Sequence, residues 1–170
     1  MKSIFLGERL EVLRVLREYS KVVAVVTSKK SFITKYESKL KLIHYDHLRK
    51  EQIFKIIQNN NVNLIVSSGF KWLIPKNYLS KKKIIINSHP GVLPEQKGRN
   101  SIKENFIKKK QVYGITIHHI DENMDQGKII NAIRRKFNPN CSLKSIYKRL
   151  FKLDEPILLR AVLKQLQIKK

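Results

Sequence analysis

Three short stretches constrain this chain more than any others. Val22–Thr27, Leu64–Ser67 and Ile84–Ile86 are apolar at almost every position. A strand with one wet face alternates apolar and polar residues. A strand covered on both faces reads as a continuous apolar run, the mark of a parallel sheet between layers of helix. Between these runs, apolar residues recur at helical spacing: Leu10, Leu13, Val15, Leu16 and Tyr19 within Glu8–Tyr19, and Leu48, Ile53, Ile56 and Ile57 within His47–Gln58. Lys2–Leu6 precedes Gly7 as a first strand, so strand, helix and strand follow in quick succession and predict a right-handed crossover unit. Ser31–Leu40 is weakly helical, Leu42–His44 a short strand, and Ser101–Lys108 a short helix. Val112–Ile120 and Lys128–Phe137 read as strands. Ser142–Gln167 reads as a helix with Ser142 as N-cap, kinked or split at Pro156. The expected fold is one α/β domain over residues 1–170: a mostly parallel twisted sheet, helices on both faces and a C-terminal helix.

A chain of 170 residues buries about two-thirds of its unfolded surface and needs no metal or disulfide to fold. Its single cysteine, Cys141, has no partner in the chain, which fits a reducing, cytoplasmic setting. No run of apolar residues is long enough to span a membrane, and the N-terminal apolar segment is too short for a signal peptide. Lys and Arg number 36 against 13 Asp and Glu, a formal charge of +23. Such a balance attracts polyanions. Lysines spread along the whole length, with abundant Ile and Asn, are equally what an AT-rich genome writes onto exposed positions. Both readings stay open. Lys81–Lys83, Lys108–Lys110 and Arg134–Lys136 are the clusters where a polyanion would be held, and none is interleaved with aromatics like a single-strand binder.

The chemistry concentrates between Ile84 and Gly127. Asn87 and His89 are two residues apart on extended backbone, so they share a face and can converge on one oxygen that gains negative charge. Pro90, Gly91, Pro94 and Gly98 follow and predict a rigid, shaped loop. Asp125 precedes Gln126-Gly127 in a loop, where a carboxylate can orient an imidazole and relay protons. His118 and His119 alternate on a strand, so only one faces the ligand side. No paired-cysteine or Glu-x-x-His spacing supports a metal. Gly7-Glu8-Arg9 lacks a Gly-x-Gly-x-x-Gly cradle, so dinucleotide binding is not expected. His44 and His47 read as surface or packing residues.

Asn87-Ser88-His89-Pro90-Gly91-Val92-Leu93-Pro94, Lys97-Gly98, Gly114-Ile115-Thr116-Ile117-His118 and Asp125-Gln126-Gly127, in this order and spacing, resemble the 10-formyltetrahydrofolate-dependent formyltransferases. The resemblance is closest to the glycinamide ribonucleotide branch. It implies transfer of a formyl group from 10-formyltetrahydrofolate to a primary amine without metal. Asn87 and His89 would then stabilise the oxyanion, Asp125 would tune His89 and move protons, and His118 would be an additional active-site histidine. Phe70, Trp72, Leu73 and Ile74, with Ile120, Asp121 and Asp125, would line the folate pocket. The enzymes of that branch hold the substrate phosphate on a Gly/Ser/Asn-rich loop after the first strand. Here the loop reads Leu6-Gly7-Glu8-Arg9, and Glu8 is expected to repel a phosphate. This departure points to a non-standard small-molecule amine, a nucleotide-linked aminosugar among them, rather than to purine biosynthesis alone. The alternative is a basic tRNA-binding protein on the same scaffold, including a methionyl-tRNA formyltransferase-like role. The expected assembly is a monomer or homodimer with no membrane partner.

Overall fold

The computed structural model describes residues 1–170 except Ser38, Asn60, Lys81, Lys169 and Lys170, so one member of the Lys81–Lys83 cluster lies outside the described residues. Seven strands form one sheet: β1 (Lys2–Gly7), β2 (Lys21–Thr27), β3 (Leu42–His44), β4 (Leu64–Ser68), β5 (Ile84–His89), β6 (Val112–His119) and β7 (Ile129–Lys136). Their order is β3-β2-β1-β4-β5-β6-β7. The first five run parallel, and β6 and β7 are antiparallel to their neighbours. The helices are α1 (Leu10–Tyr19), α2 (Phe32–Tyr36), α3 (Lys50–Asn59), α4 (Ser101–Ile107), α5 (Leu143–Arg149) and α6 (Glu155–Ile168).

The apolar runs do what their composition requires. Phe5, Val25, Leu64, Val66 and Ile86 face one layer, where α1 supplies Val12, Leu13 and Leu16 and α6 supplies Leu158, Leu159 and Val162. Their neighbours Ile4, Leu6, Val26, Ile65 and Ile85 face the other layer, against Ile53, Phe54 and Ile57 of α3. Each fully buried aliphatic side chain contributes about 1.5–3 kcal/mol.

Several boundaries differ from the sequence expectation. β5 continues through Asn87 and His89 rather than ending at Ile86, because β6 pairs with it there: Asn87 stands opposite His118, and His89 opposite Thr116. α1 begins at Leu10 rather than Glu8, because the Glu8 N–H donates to the Ser68 carbonyl and holds that residue against β4. Tyr45–His47 forms a separate 3₁₀ turn before α3. Ser142 caps α5, its hydroxyl accepting from the Ser145 N–H at 3.2 Å. Pro156, which has no N–H to donate, follows a π-turn at Leu150–Asp154 in which the Glu155 N–H bonds the Leu150 carbonyl. The helical path therefore continues through the proline with one widened turn.

The strand order reverses direction between β1 and β4, and ligands of such sheets bind beyond the carboxyl ends of the strands at that point. Gly7 pairs with Ser68 there. Its φ is +133°, and an added Cβ would overlap the Ser68 carbonyl. Gly7→Ala is expected to lower the unfolding free energy by at least about 2 kcal/mol, through strain and a forced separation of β1 from β4. Urea unfolding of both proteins measures this, and an unchanged midpoint would show that the close approach is not needed.

Candidate active site

A cavity of about 350 Å³ opens at the ends of β1, β4 and β5. One wall is apolar: Phe70, Trp72, Leu73 and Ile74 from the loop after β4, with Ile120 and Met124 across from them. Trp72 is held by Tyr45 and Phe70, with ring centroids 5.4 and 5.7 Å away. The Lys71 ammonium lies over the Tyr45 and Trp72 rings at 4.4 and 4.7 Å. Arg99 donates to the Lys71 carbonyl and so ties the loop before α4 to this wall. A flat heterocycle suits such a surface.

The polar end holds Asn87, His89, His118 and Asp125, which the structure brings around one space. Asn87 Nδ2 donates to His118 Nε2 at 3.2 Å. His118 Nδ1 donates to the His119 carbonyl at 2.8 Å, which leaves Nε2 as the acceptor of the neutral ring. Of the two adjacent histidines, His118 thus faces the cavity. Asp125 lies between the imidazoles, Oδ2 at 3.3 Å from His89 Nδ1 and Oδ1 at 3.6 Å from His118 Nε2. Its backbone is left-handed, with φ of 55°, a conformation Asp tolerates better than most residues. The Gly98 N–H donates to Oδ2 at 2.9 Å and fixes the carboxylate.

His89 is fixed from its far side as well. Its Nε2 donates to the Gln96 carbonyl at 2.6 Å. That carbonyl reaches the ring because residue 91 is glycine, where a Cβ would overlap the Gln96 carbonyl. The Gln96 side chain is locked in turn, accepting from the Val92 N–H and donating to the Val112 carbonyl, both at 2.9 Å. With both ring nitrogens committed, His89 acts on a developing oxyanion through the charge it gains on taking a proton, while the free amide hydrogen of Asn87 is the direct donor.

Burial holds His89 below the ordinary imidazole range, against the pull of the Asp125 carboxylate and the Gln96 carbonyl. Burial alone would raise Asp125, but the neighbouring His118 and His89 imidazoles and the Gly98 N–H together hold it below the usual carboxylate value. The pair is thus arranged with Asp125 ionised and His89 ready to take a proton. For His89 the folded state binds a proton less readily than the unfolded chain. Its contribution to stability is therefore present above the unfolded imidazole value of about 6.5 and lost as pH falls through the window below it. Followed by NMR, His89 is expected to titrate below about 6.5, and lower still in Asp125→Asn, because the carboxylate that favours its charge is gone. An upward move in that variant would overturn the assignment.

Of the other residues expected here, Asp121 lies outside the cavity wall. It borders a shallower depression, and its Oδ1 accepts from the Asn123 N–H at 3.0 Å. Three residues were not visible in the sequence pattern. Gln96 positions His89 through its backbone. Glu155 is 1% exposed, and its Oε1 accepts from the Ser68 and Ser88 hydroxyls, each at 2.6 Å. Ser88 sits between Asn87 and His89, so this carboxyl anchors the active strand. Arg9 lines the cavity, whereas Glu8 turns away from it, accepting from the Ser28 N–H at 2.9 Å, the hydroxyls of Ser28 and Thr27, and Tyr45. The side chain expected to repel a phosphate is therefore engaged elsewhere, and its neighbour faces the site with the opposite charge. Among the described residues no three His, Cys, Asp or Glu side chains form a metal-holding group, and no helix is long and apolar enough to cross a membrane.

A donor amide beside two imidazoles and a carboxylate, next to an apolar slot, is the equipment of acyl-group chemistry without a covalent nucleophile. Comparison with known proteins sharpens that class. The formyl transferase family matches residues 7–162, which include every segment bordering the cavity, and the chain belongs to this family. It is 32% identical over 106 residues to a phosphoribosylglycinamide formyltransferase of Bacillus subtilis, covering 62% of this chain and 54% of that protein. It is 27% identical over 180 residues to a methionyl-tRNA formyltransferase of Orientia tsutsugamushi, covering 95% of this chain and 59% of the relative. The chain thus spans little more than half the length of these curated relatives. Its fold is that of a phosphoribosylglycinamide formyltransferase from Streptococcus pneumoniae, with a TM-score of 0.83 at 18% identity and 98% of both chains covered.

Proposed function

We propose that this chain transfers a formyl group from 10-formyltetrahydrofolate to a primary amine. The observation that carries the reading is the contact series Asn87–His118–Asp125–His89 at the polar end of a cavity with an aromatic wall. The apolar wall at Phe70–Ile74 fits a pterin-like ring, with backbone groups of that loop and of 120–125 available to read its edge. Bound there, the folate supplies a formyl carbon open to attack by an amine. Asn87 donates its second amide hydrogen to the formyl oxygen as that oxygen gains charge. His89, on taking a proton, adds positive charge beside it. Asp125 accepts the proton that the amine sheds, directly or through one water, and the bond from the formyl carbon to N10 breaks as a proton passes to N10 of the departing tetrahydrofolate. The cavity holds the two reactants together, which removes the entropic cost of their encounter.

The test is formyl transfer by the purified protein, followed by release of tetrahydrofolate with a panel of amines. Asn87→Ala is expected to lower kcat about 10²- to 10³-fold while the fold survives. Full activity in Asn87→Ala, His89→Ala and Asp125→Ala would overturn the reading. Folate release that needs no amine would instead mark hydrolysis, the activity named for a formyltetrahydrofolate deformylase of Arabidopsis thaliana that is 28% identical over 114 residues. The panel includes the acceptors in the names of relatives: phosphoribosylglycinamide, methionyl-tRNA and GDP-perosamine.

The formal charge of +23 favours a second reading, an RNA-borne acceptor. Lys108, Lys109 and Lys110 are exposed just before β6, near the exposed Lys136 of β7. Not all of this charge is available. Arg135 pairs with the fully buried Asp154 at 2.9 Å, and Arg134 lies 3.7 Å from Glu95. An RNA acceptor predicts tRNA binding whose logarithm falls linearly with the logarithm of salt concentration. Binding that is absent or indifferent to salt near physiological ionic strength rejects it.

A further inference from the structure

Glu8 turns away from the cavity, and its bonds show what it does instead. Its oxygens accept from the Ser28 N–H at 2.9 Å, the Ser28 hydroxyl at 3.1 Å and the Thr27 hydroxyl at 3.4 Å, which fix the carboxylate to the end of β2. The remaining donor is the phenol of Tyr45. Tyr45 is 7% exposed and lies in the 3₁₀ turn before α3. Burial and the adjacent Glu8 carboxylate hold its phenol above the ordinary range, so it stays a proton donor. The Tyr45 ring meets Phe70 edge-on at 5.9 Å and Trp72 at a tilt, at 5.4 Å. Phe54 of α3 adds an edge contact to Trp72 at 6.5 Å.

Phe70 and Trp72 are half-buried, and residues 70–75 belong to no helix or strand. The two rings therefore take their position from what stands behind them. A side chain that must be ordered when the ligand arrives costs part of the affinity, and one set beforehand does not. A hydrogen bond to an ionised carboxylate is among the stronger ones and fixes the phenol that makes it. Neither Glu8 nor Tyr45 lines the cavity. We propose that Glu8 and Tyr45 are positioning residues of the donor-binding wall: the carboxylate fixes the Tyr45 ring, and that ring holds Phe70 and Trp72 in the arrangement that receives a flat heterocycle. They act on affinity for the formyl donor rather than on the chemical step. The inference rests on a folate as that donor.

Trp72 is the only tryptophan of the chain, so its emission reports this wall directly. Its emission and anisotropy are read in the free wild type, Tyr45→Phe and Glu8→Gln, and the Kd of each for tetrahydrofolate is read by calorimetry. Tyr45→Phe keeps the ring and loses only the hydroxyl. It is expected to lower Trp72 anisotropy and move the emission to longer wavelength in the free protein. The same variant is expected to raise the Kd for tetrahydrofolate, and KM for the formyl donor, about 3- to 10-fold, with kcat at saturating donor retained. Glu8→Gln is expected to move Trp72 in the same direction, and serves if Tyr45→Phe fails to fold. A merely structural role would lower the unfolding midpoint of both variants and leave the Kd and the Trp72 anisotropy in place; that result overturns the proposal. A wild type that does not bind tetrahydrofolate counts against the folate reading. The positioning role then stands or falls on the Trp72 anisotropy of the free variants.

Discussion

The antiparallel pairing of β5 with β6 is the constraint on which the site depends. In a wholly parallel sheet, β5 would have ended on a helix-bound neighbour and Asn87 would have faced a loop. Reversal of β6 sets His118 directly opposite Asn87 in the register, so two polar side chains meet inside the sheet. Backbone hydrogen bonds of both strands hold them there, which removes most of the conformational freedom that a loop-borne pair would retain. Asp125 then needs only a short excursion beyond β6 to reach both imidazoles, and its left-handed backbone makes that excursion compact.

The fold was largely legible because its signals are local. Continuous apolar runs marked β2 and β4, and helical spacing marked α1, α3 and the C-terminal segment. Asn87, His89, His118 and Asp125 were legible through their order and spacing. What the sequence could not show depends on contacts between distant parts of the chain. Asn87 and His89 were read as extended, but that β6 pairs antiparallel with them and sets His118 opposite Asn87 has no local signal. Glu155 lies 67 residues from Ser88, and nothing near it in sequence announces that two serine hydroxyls converge on its carboxyl. Glu8 and Arg9 are neighbours of opposite charge, and which of them faces the cavity is decided by Ser28 and Tyr45 on other segments.

The basic composition acquires structure only in places. Arg160 pairs with Glu18 and links α6 to α1, and Arg135 with Arg149 surrounds Asp154. These cations serve the fold. The exposed lysines beside β6 are among the charges that the packing does not use. Surface ion pairs such as Arg160–Glu18 contribute little individually, so the packing of apolar residues on both sheet faces, rather than the abundance of charge, accounts for cohesion.

The π-turn before Pro156 sets the angular phase of everything around it. An α-helix advances 100° per residue, so the widened turn acts as one inserted position and rotates the residues after it relative to those before. Phe151 is thereby presented to Arg9, Asp154 to Arg135 and Arg149, and Glu155 to the strand serines, while Leu158 and Leu159 still meet the sheet. The geometry of the stretch therefore depends on its length as well as on its side chains. Loss of a single codon there would leave hydrophobicity and helix propensity nearly untouched, yet turn the carboxyl away from the strand that carries the chemistry.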